Sequence, residues 1–337
     1  MLLSVIIPAR NEESAIEKCI EHIYDNQLPE DTELEVLVID GLSTDQTISK
    51  VEQLQTKYLS LRIISNDAQT TPTAFNIGIN NAKGEYIQIV GARQFLSQNY
   101  LSEALKSFQI DASIKCVGGG VENVYLNEKS KIIALAMDSP FGVGGGNFRI
   151  AKSSGYVDTV GTPMYPKSAF EEFGLFDEKL VRNQDDEYNY RITSQGYKIY
   201  QNKDAVIQYM VRASFGNLKK QYYQYGYWKV YVNKKVKSIT TIRQLFPFAL
   251  VSYTILGLLL SLFNSYIAIA FGATMLLYIG ISLFFAFRKS KNPKEIAIIT
   301  WTFWILHYSY GLGYLKGILD FFILSKGPTS QNTTLSR

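Results

Sequence analysis

The first 90 residues alternate short apolar runs with segments in which apolar residues recur every three or four positions. Residues 3–7, 36–39, 61–64 and 86–90 predict four buried strands. The segment after the first strand has a helical period that carries Ile16, Cys19, Ile20 and Ile23. This alternation of strand and helix predicts an α/β fold with a mostly parallel sheet and helices on both faces. Residues 1–8 have no basic lead, so they indicate a first strand rather than an export signal.

Local signals predict where three helices begin. Asn11 is a candidate N-cap for the first helix, and residues 43–46 (STDQ) match a capping box before the second. Thr71 and Pro72 predict the start of the third helix, because proline is favoured in the first helical turn.

The last third of the chain is far more apolar than the rest. Residues 245–263 and 266–287 carry no charge, and each has about the 20 residues needed to cross a bilayer. We expect membrane helices there; the alternative is long buried helices of a soluble domain. A third apolar stretch, residues 296–324, contains His307, Lys316 and Asp320. It either spans with its polar side against other helices or lies partly in the interface.

The chain is therefore expected to have four parts, namely a soluble domain (1–215), an interfacial segment (216–240), a membrane domain (241–325) and a tail (326–337). The interfacial segment is rich in lysine, tyrosine and tryptophan, which suit the headgroup level. The loop at residues 288–294 carries four positive charges, and the positive-inside rule places it in the cytoplasm. This predicts a multi-pass cell-membrane protein with residues 1–215 in the cytoplasm. The tail would be outside if the third stretch spans.

Composition excludes several other classes of protein. The chain has 337 residues, a net charge of +4 and 47% hydrophobic residues, which is too apolar for a disordered protein. Its two cysteines exclude a disulfide scaffold, and its small charge gives no reason to expect a nucleic-acid partner.

Candidate chemistry lies where the predicted strands end. Ligands of such sheets bind beyond the carboxyl ends of the strands, which here means residues 8–12, 40–45 and 91–95. Neither a dinucleotide G-x-G-x-x-G nor a G-x-x-x-x-G-K-[ST] motif is present. Acidic residues at strand ends suit hydrogen bonds from a base and from ribose hydroxyls. The alternative is that Asp40 and Asn11 are only turn and cap residues.

Several separated motifs carry a family resemblance. Residues 4–13 (SVIIPARNEE) and 38–45 (VIDGLSTD) resemble the opening of family 2 glycosyltransferases of GT-A fold. Residues 76–79 (NIGI) and 82–86 (AKGEY) resemble the next block of that family. Residues 139–146, 156–159 and 180–191 are similar to its membrane-attached branch, the succinoglycan-type exopolysaccharide glucosyltransferases. Residues 224–228 (QYGYW) resemble the Q-x-x-R-W motif of processive synthases only weakly.

The resemblance implies a donor, an acceptor and roles for particular residues. The donor is a nucleotide-diphosphate sugar, usually of uridine diphosphate (UDP), and the residues implied to hold it are Pro8, Ala9, Arg10, Glu12, Asp40, Ser43, Asn76 and Gly91. Asp185 is implied as the general base of an inverting transfer, with Asp186 as the alternative if the alignment shifts by one.

The implied acceptor is a lipid-linked saccharide at the cytoplasmic face, with its cleft near residues 161–167. Three apolar segments are few for a secretion channel, so transfer of one sugar is favoured over polymerisation. Transfer to a dolichol-type phosphate is an alternative. Membrane lipid and other glycan-assembly proteins are the expected partners.

One motif departs from the family pattern. Family members carry an Asp-x-Asp or Asp-x-His element after the fourth strand, where an acid helps to bind Mg²⁺ or Mn²⁺. Gly91 and Arg93 stand at those two positions here. Glycine has no ligating side chain, and a guanidinium is always cationic. Two hypotheses follow. Either Arg93 binds the diphosphate and stabilises the departing nucleotide, or the protein is a nucleotide-sugar-binding scaffold of a membrane glycan-synthesis complex.

Overall fold

The computed structural model describes residues 1–125, 127–144, 153–211 and 214–328. Within those residues the strands are β1 (Leu2–Ala9), β2 (Glu33–Asp40), β3 (Leu61–Ser65), β4 (Tyr86–Ile89), β5 (Gln94–Leu96), β6 (Ile114–Tyr125), β7 (Gly155–Tyr156), β8 (Gly161–Pro166) and β9 (Lys198–Val211). The α-helices are α1 (Ile16–Tyr24), α2 (Thr47–Gln55), α3 (Thr71–Asn81), α4 (Tyr100–Ser107), α5 (Glu128–Met137), α6 (Pro140–Val143), α7 (Ser168–Phe173), α8 (Gln184–Ser194), α9 (Phe215–Val236), α10 (Leu245–Ser261), α11 (Ser265–Lys289) and α12 (Pro293–Ile318). A 3-10 turn (Ile242–Gln244) precedes α10, and a π-helical turn (Leu319–Ile323) follows α12.

The chain divides into two compact units. The sheet unit contains Met1–Val124 and Phe148–Met210, and the helical unit contains Tyr125–Asn147 and Val211–Arg337. The segment Tyr125–Asn147 therefore leaves the sheet unit, although the sequence places it inside one domain, 1–215. The cause is apolar packing within the helical unit, because Ile132 and Ala136 of α5 join a cluster with Phe303 of α12. The expected tail is described only as far as residue 328, and the motif at 139–146 as far as residue 144.

The sheet has a parallel half and an antiparallel half. The four predicted strands all form, in the parallel order β3-β2-β1-β4. The sheet continues with β8, β6, β9 and β5; β8 pairs antiparallel with β4 and β6, and β5 pairs antiparallel with β9, so the sheet is mixed rather than mostly parallel. The segment expected near the acceptor cleft becomes β8, an inner strand with Met164 and Tyr165 fully buried.

Helices cover both faces of this sheet, as predicted. Alternate residues of β1 divide between two apolar clusters: Val5 and Ile7 join α1, α2 and α4, whereas Ile6 joins α3, α7 and α8. The helix α3 lies close to the sheet at Gly78, where a Cβ would be 2.4 Å from a methyl of Ile6. The α/β fold class is confirmed.

Two of the three predicted helix starts are wrong. Asn11 adopts a left-handed φ of 54° and does not cap α1, which begins at Ile16. Residues 43–46 form no capping box, because α2 begins only at Thr47 and has no side-chain cap. The third is confirmed, since α3 begins at Thr71 with proline in its first turn.

Among the described residues of the helical unit, two helices are long and apolar enough to cross a membrane. They comprise Ile242–Ser261 and Ser265–Lys289, and much of their apolar surface is exposed. In contrast, His307 of α12 and Asp320 of the π-helical turn that follows it are buried inside the unit.

The segment predicted to be interfacial forms α9, which packs against α12 along glycines. A Cβ on Gly226 would lie 2.0 Å from the Tyr310 oxygen, and one on Gly313 would lie 2.0 Å from the Tyr223 oxygen. Tyr227 and Trp228 are fully buried. These two aromatic residues therefore lie in protein, although the sequence pattern placed them at lipid headgroups.

Candidate active site

The loop after β2 is organised around the carboxylate of Asp40. Asp40 is the last residue of its strand, lies opposite Ala9 in the parallel register and is only 7% exposed. The backbone N–H of Ser43 donates to Asp40 Oδ2 at 3.0 Å, and the Ser43 hydroxyl donates to Oδ1 at 2.5 Å. A carboxylate has about four lone-pair sites, so Asp40 keeps capacity for a ligand.

Side chains fasten this loop to the loop after β1. The N–H of Asn11 donates to Ser43 Oγ at 3.0 Å, and Asn11 Oδ1 accepts from the N–H of Thr44 at 2.8 Å. The N–H of Glu12 donates to Thr47 Oγ1 at 2.8 Å. The side chains expected to cap helices thus join two loops of the same sheet edge, which holds that edge rigid.

Asp45 strengthens the same connection. Its carboxylate accepts from the N–H of Thr47 at 3.0 Å and from the N–H of Glu13 at 3.1 Å. Partial burial raises the pKa of the Asp45 carboxyl, but these hydrogen bonds outweigh burial and hold that pKa below its usual value.

The predicted donor residues at the end of β1 face this loop. Pro8 and Ala9 are the last two residues of the strand, and the Arg10 side chain packs over Gly41. A Cβ at Gly41 would be 3.3 Å from Arg10 Cβ and Cδ. The Nε of Arg10 is buried and has no hydrogen-bond partner among the described residues.

The turn after β4 carries the departure from the family motif. The N–H of Gly91 donates to Gln94 Oε1 at 2.6 Å, and the N–H of Gln94 donates to the Gly91 oxygen at 2.8 Å. Arg93 Nε donates to Glu12 Oε2 at 2.6 Å, with the two side chains 32% and 19% exposed. This ion pair links the ends of β1 and β4, and the sequence analysis did not predict it.

The residues at this edge do not fit a divalent cation. Within the described ranges, no group of three or more His, Cys, Asp or Glu side chains is arranged to hold a metal ion. Gly91 offers no side-chain ligand, and Arg93 places a cation next to Glu12.

The predicted base lies on another element, the first turn of α8. Asp185 is exposed there and Asp186 is half-buried, after Asn183 with a left-handed φ of 59°. The positive end of a helix dipole stabilises carboxylates in this turn. Burial raises the pKa of the Cys116 thiol, a hydrogen bond with Tyr165 opposes the rise, and the charge of Asp185 adds to it.

Buried contacts fix α8 in place. Glu187 is 1% exposed and pairs with Arg191 at 3.0 Å. The Arg191 guanidinium also donates to the oxygens of Phe173 and Leu175, which ties α8 to the end of α7. Arg191 thus positions the helix that carries Asp185, a role that the sequence analysis missed.

Asn76 has structural partners. Its Nδ2 donates to the Phe176 oxygen and to Glu178 Oε1, both at 2.9 Å, and its Oδ1 accepts from the Phe176 N–H at 3.0 Å. These bonds fasten α3 to the segment before α8. The assignment of Asn76 to the donor site stays a prediction.

Hydrogen bonds and strand register thus bring most of the predicted donor residues together at the carboxyl edge of β1, β2 and β4, namely Pro8, Ala9, Arg10, Glu12, Asp40, Ser43, Gly91 and Arg93. The carboxylates of Asp185 and Asp186 come from α8, and Asn76 comes from α3.

Comparisons with known proteins agree with this architecture. The family model for glycosyl transferase family 2 matches residues 4–174. A Methanococcus voltae protein named dolichyl N-acetyl-alpha-D-glucosaminyl phosphate 3-beta-D-2,3-diacetamido-2,3-dideoxy-beta-D-glucuronosyltransferase is 31% identical over 94% of this chain and 97% of its own. The succinoglycan biosynthesis protein ExoA of Rhizobium meliloti is 24% identical over 94% of this chain and 95% of its own.

A solved structure shares the fold. The mannosyltransferase PcManGT of Pyrobaculum calidifontis, in complex with GDP-Man and Mn²⁺, has a TM-score of 0.65 and 18% identity, covering 94% of this chain and 86% of that chain. With the family model and the Methanococcus relative, this likeness shows that the chain belongs to glycosyl transferase family 2 and is a glycosyltransferase of GT-A fold.

Proposed function

We propose that this enzyme transfers one sugar, with inversion, from a nucleotide-diphosphate sugar to a lipid-linked saccharide in exopolysaccharide or cell-surface glycan synthesis. The observation that carries the proposal is the buried carboxylate of Asp40, held by Ser43 at the carboxyl edge of the sheet. Such an edge is where α/β sheets bind ligands. The nearby cations Arg10 and Arg93 complement a diphosphate.

The donor is proposed to be a UDP-sugar. Asp40 accepts hydrogen bonds from the base or the ribose, and Ser43 orients its carboxylate. Pro8, Ala9 and Glu12 complete the wall formed by the first loop, and Gly91 belongs to the turn after β4 that is proposed to border the diphosphate. Asn76 is the remaining proposed contact.

Asp185 is proposed as the general base. The acceptor oxygen attacks the anomeric carbon while its proton moves to the Asp185 carboxylate. The bond between that carbon and the phosphate oxygen breaks, and its electron pair stays with the nucleoside diphosphate. Asp186 is the alternative base on the same helix turn.

The lipid-linked acceptor is supported by the Methanococcus relative, whose name specifies a dolichyl-linked sugar phosphate. The helices α10 and α11 are candidate membrane spans that would keep the enzyme near such an acceptor. Tethering raises the effective concentration of a membrane-bound substrate without any new contact. We propose that the sheet unit is cytoplasmic, because the loop between α11 and α12 is strongly basic. Other glycan-assembly proteins are proposed partners.

The test is transfer by membranes that contain the full chain. They are incubated with radiolabelled UDP-sugars, and lipid is extracted with organic solvent. We expect label in the lipid extract and a loss of about 10²–10⁴-fold in Asp185→Asn, the range for general bases. Asp204→Asn is the matched control, because Asp204 is an exposed carboxylate paired with a lysine in the same unit.

Each other outcome changes a defined part of the proposal. If Asp186→Asn is inactive while Asp185→Asn is active, the base is Asp186. Label found only in long water-soluble polymer would contradict transfer of a single sugar. Binding of UDP-sugars without turnover would support the scaffold function instead.

A further inference from the structure

In the turn after β4, the side chain of Gln94 occupies the place next to Gly91 where the usual metal-binding acid would begin. The side-chain oxygen of Gln94 accepts from the Gly91 N–H at 2.6 Å and occupies the space next to this glycine. A Cβ at Gly91 would lie 3.1 Å from that oxygen. The Gln94 side chain thus closes this turn with a hydrogen bond to Gly91, and Gly91 itself has no side chain that could bind a cation.

Arg93 presents unused donors at this edge. Its Nε is held by Glu12, and its two Nη groups have no hydrogen-bond partner in the part of the chain that the structure describes. A guanidinium has five N–H donors in a planar fork that matches two phosphate oxygens. Glu12 is therefore a positioning residue that fixes the plane of this fork.

A second guanidinium at this edge, that of Arg10, also has an N–H donor without a hydrogen-bond partner among the described residues. Arg10 lies two residues before Glu12 at the end of β1, and its buried Nε lacks a partner among the described residues. Leaving a buried donor unpaired costs about 1–3 kcal/mol, and a bound anion would remove that cost.

From these observations, and resting on the proposed nucleotide-diphosphate donor, we propose that Arg93, assisted by Arg10, takes the place of the divalent cation, so that the enzyme binds and uses its donor without metal. When the anomeric C–O bond breaks, the electron pair moves to the β-phosphate oxygen. The N–H groups of Arg93 donate to that oxygen and stabilise its growing charge.

The test measures nucleotide binding separately from transfer. The full chain in detergent is titrated calorimetrically with UDP, GDP, CDP and ADP, each in EDTA and in Mn²⁺. We expect one of the four to bind with a Kd that differs by less than twofold between the two conditions. Arg93→Gln should weaken this binding at least tenfold, and Arg93→Lys should lie between, because lysine keeps the charge but loses the fork.

Arg62→Gln is the matched control, because Arg62 is a half-buried arginine on β3. It should bind as the wild type does. Thermal unfolding of each variant separates lost binding from lost folding. In the transfer assay, Arg93→Gln should lower kcat by about 10²–10³-fold, the usual effect of removing a donor to a developing oxyanion.

The outcomes distinguish this inference from the function on which it rests. Binding that Mn²⁺ tightens tenfold or more in the wild type would overturn the arginine assignment and leave the nucleotide-sugar donor intact. Unchanged binding in a folded Arg93→Gln variant would also overturn it. No binding of any of the four diphosphates in either condition would overturn both proposals.

Discussion

Replacing Asn76 by alanine tests whether this residue supports the structure or contacts the donor. The substitution removes three hydrogen bonds to Phe176 and Glu178, all between 2.9 and 3.0 Å. Asn76 and Phe176 are 6% and 3% exposed, so water replaces these bonds poorly. At about 1 kcal/mol for each bond, the sheet unit should lose about 3 kcal/mol of unfolding free energy.

The expected shift is large enough to measure by thermal unfolding. For a unit of about 200 residues, each kcal/mol lowers Tm by about 2–4 °C, so Asn76→Ala should lower Tm by about 6–12 °C. Asn81→Ala is the control, because Asn81 is exposed on the same helix and donates only to the oxygen one turn earlier. Its effect should stay within about 0.5 kcal/mol.

The same pair of variants distinguishes the two roles. If Asn76 contacts the donor and contributes little to stability, Asn76→Ala weakens UDP binding while its Tm matches that of Asn81→Ala. That result would refute the stability estimate. If the hydrogen bonds act as calculated, Tm falls, and UDP binding measured well below the transition then shows whether Asn76 also contacts the donor.

Three further predictions concern helix packing, pH and topology. Gly313→Ala should destabilise the helical unit by about 1–3 kcal/mol, the usual cost of overpacking, whereas Gly272→Ala, which has open space around its Cβ, should not; equal Tm values would contradict this packing. Because the pKa of Asp45 is lowered in the folded protein, its ionised carboxylate stabilises the fold fully above the unfolded-state pKa, and this stabilisation is lost as pH falls through the folded-state pKa. The Tm difference between wild type and Asp45→Asn should therefore shrink below about pH 4. A Tm difference that does not change with pH would contradict this. In sealed cells, Lys291→Cys should resist an impermeant maleimide and Phe263→Cys should react, because the basic loop between α11 and α12 is proposed to face the cytoplasm. The native cysteines are buried and should add little background. The reverse labelling pattern would show the opposite topology.

The parallel half of the sheet was predictable because its strands are buried on both faces. The run at residues 36–39 lies inside β2, and the run at 61–64 lies inside β3. Such strands are continuous β-branched and apolar segments bounded by turns, which sequence reading detects directly.

The antiparallel half lacks that signal. Three consecutive glycines, residues 118–120, interrupt the strand pattern of β6. The fold needs the first two, because a Cβ at Gly118 would lie 2.6 Å from the Gly161 oxygen and one at Gly119 would lie 1.9 Å from the Ala205 oxygen. Close approach between distant segments decides this strand, and residue propensity does not reveal it.

The candidate site was predictable as a set of residues but not as a network. The strand-end rule and the family motifs identified Asp40 and Arg93. The pairing of Arg93 with Glu12 joins residues 81 positions apart, and only the β1–β4 register brings them together. Likewise, Asn11 is a residue type that often caps helices, but its side chain instead accepts a hydrogen bond from the N–H of Thr44 in the neighbouring loop.

Because Tyr125–Asn147 belongs to the helical unit, each of the two units is built from two separate segments of the chain. Cutting the protein before α9 would therefore remove the partners of α5 and leave Ile132 and Ala136 without their apolar cover. A water-soluble version of the sheet unit requires a short linker in place of Tyr125–Asn147 as well as removal of the C-terminal helices. For the same reason, exchanging the sheet unit between relatives requires two segments to be transplanted together.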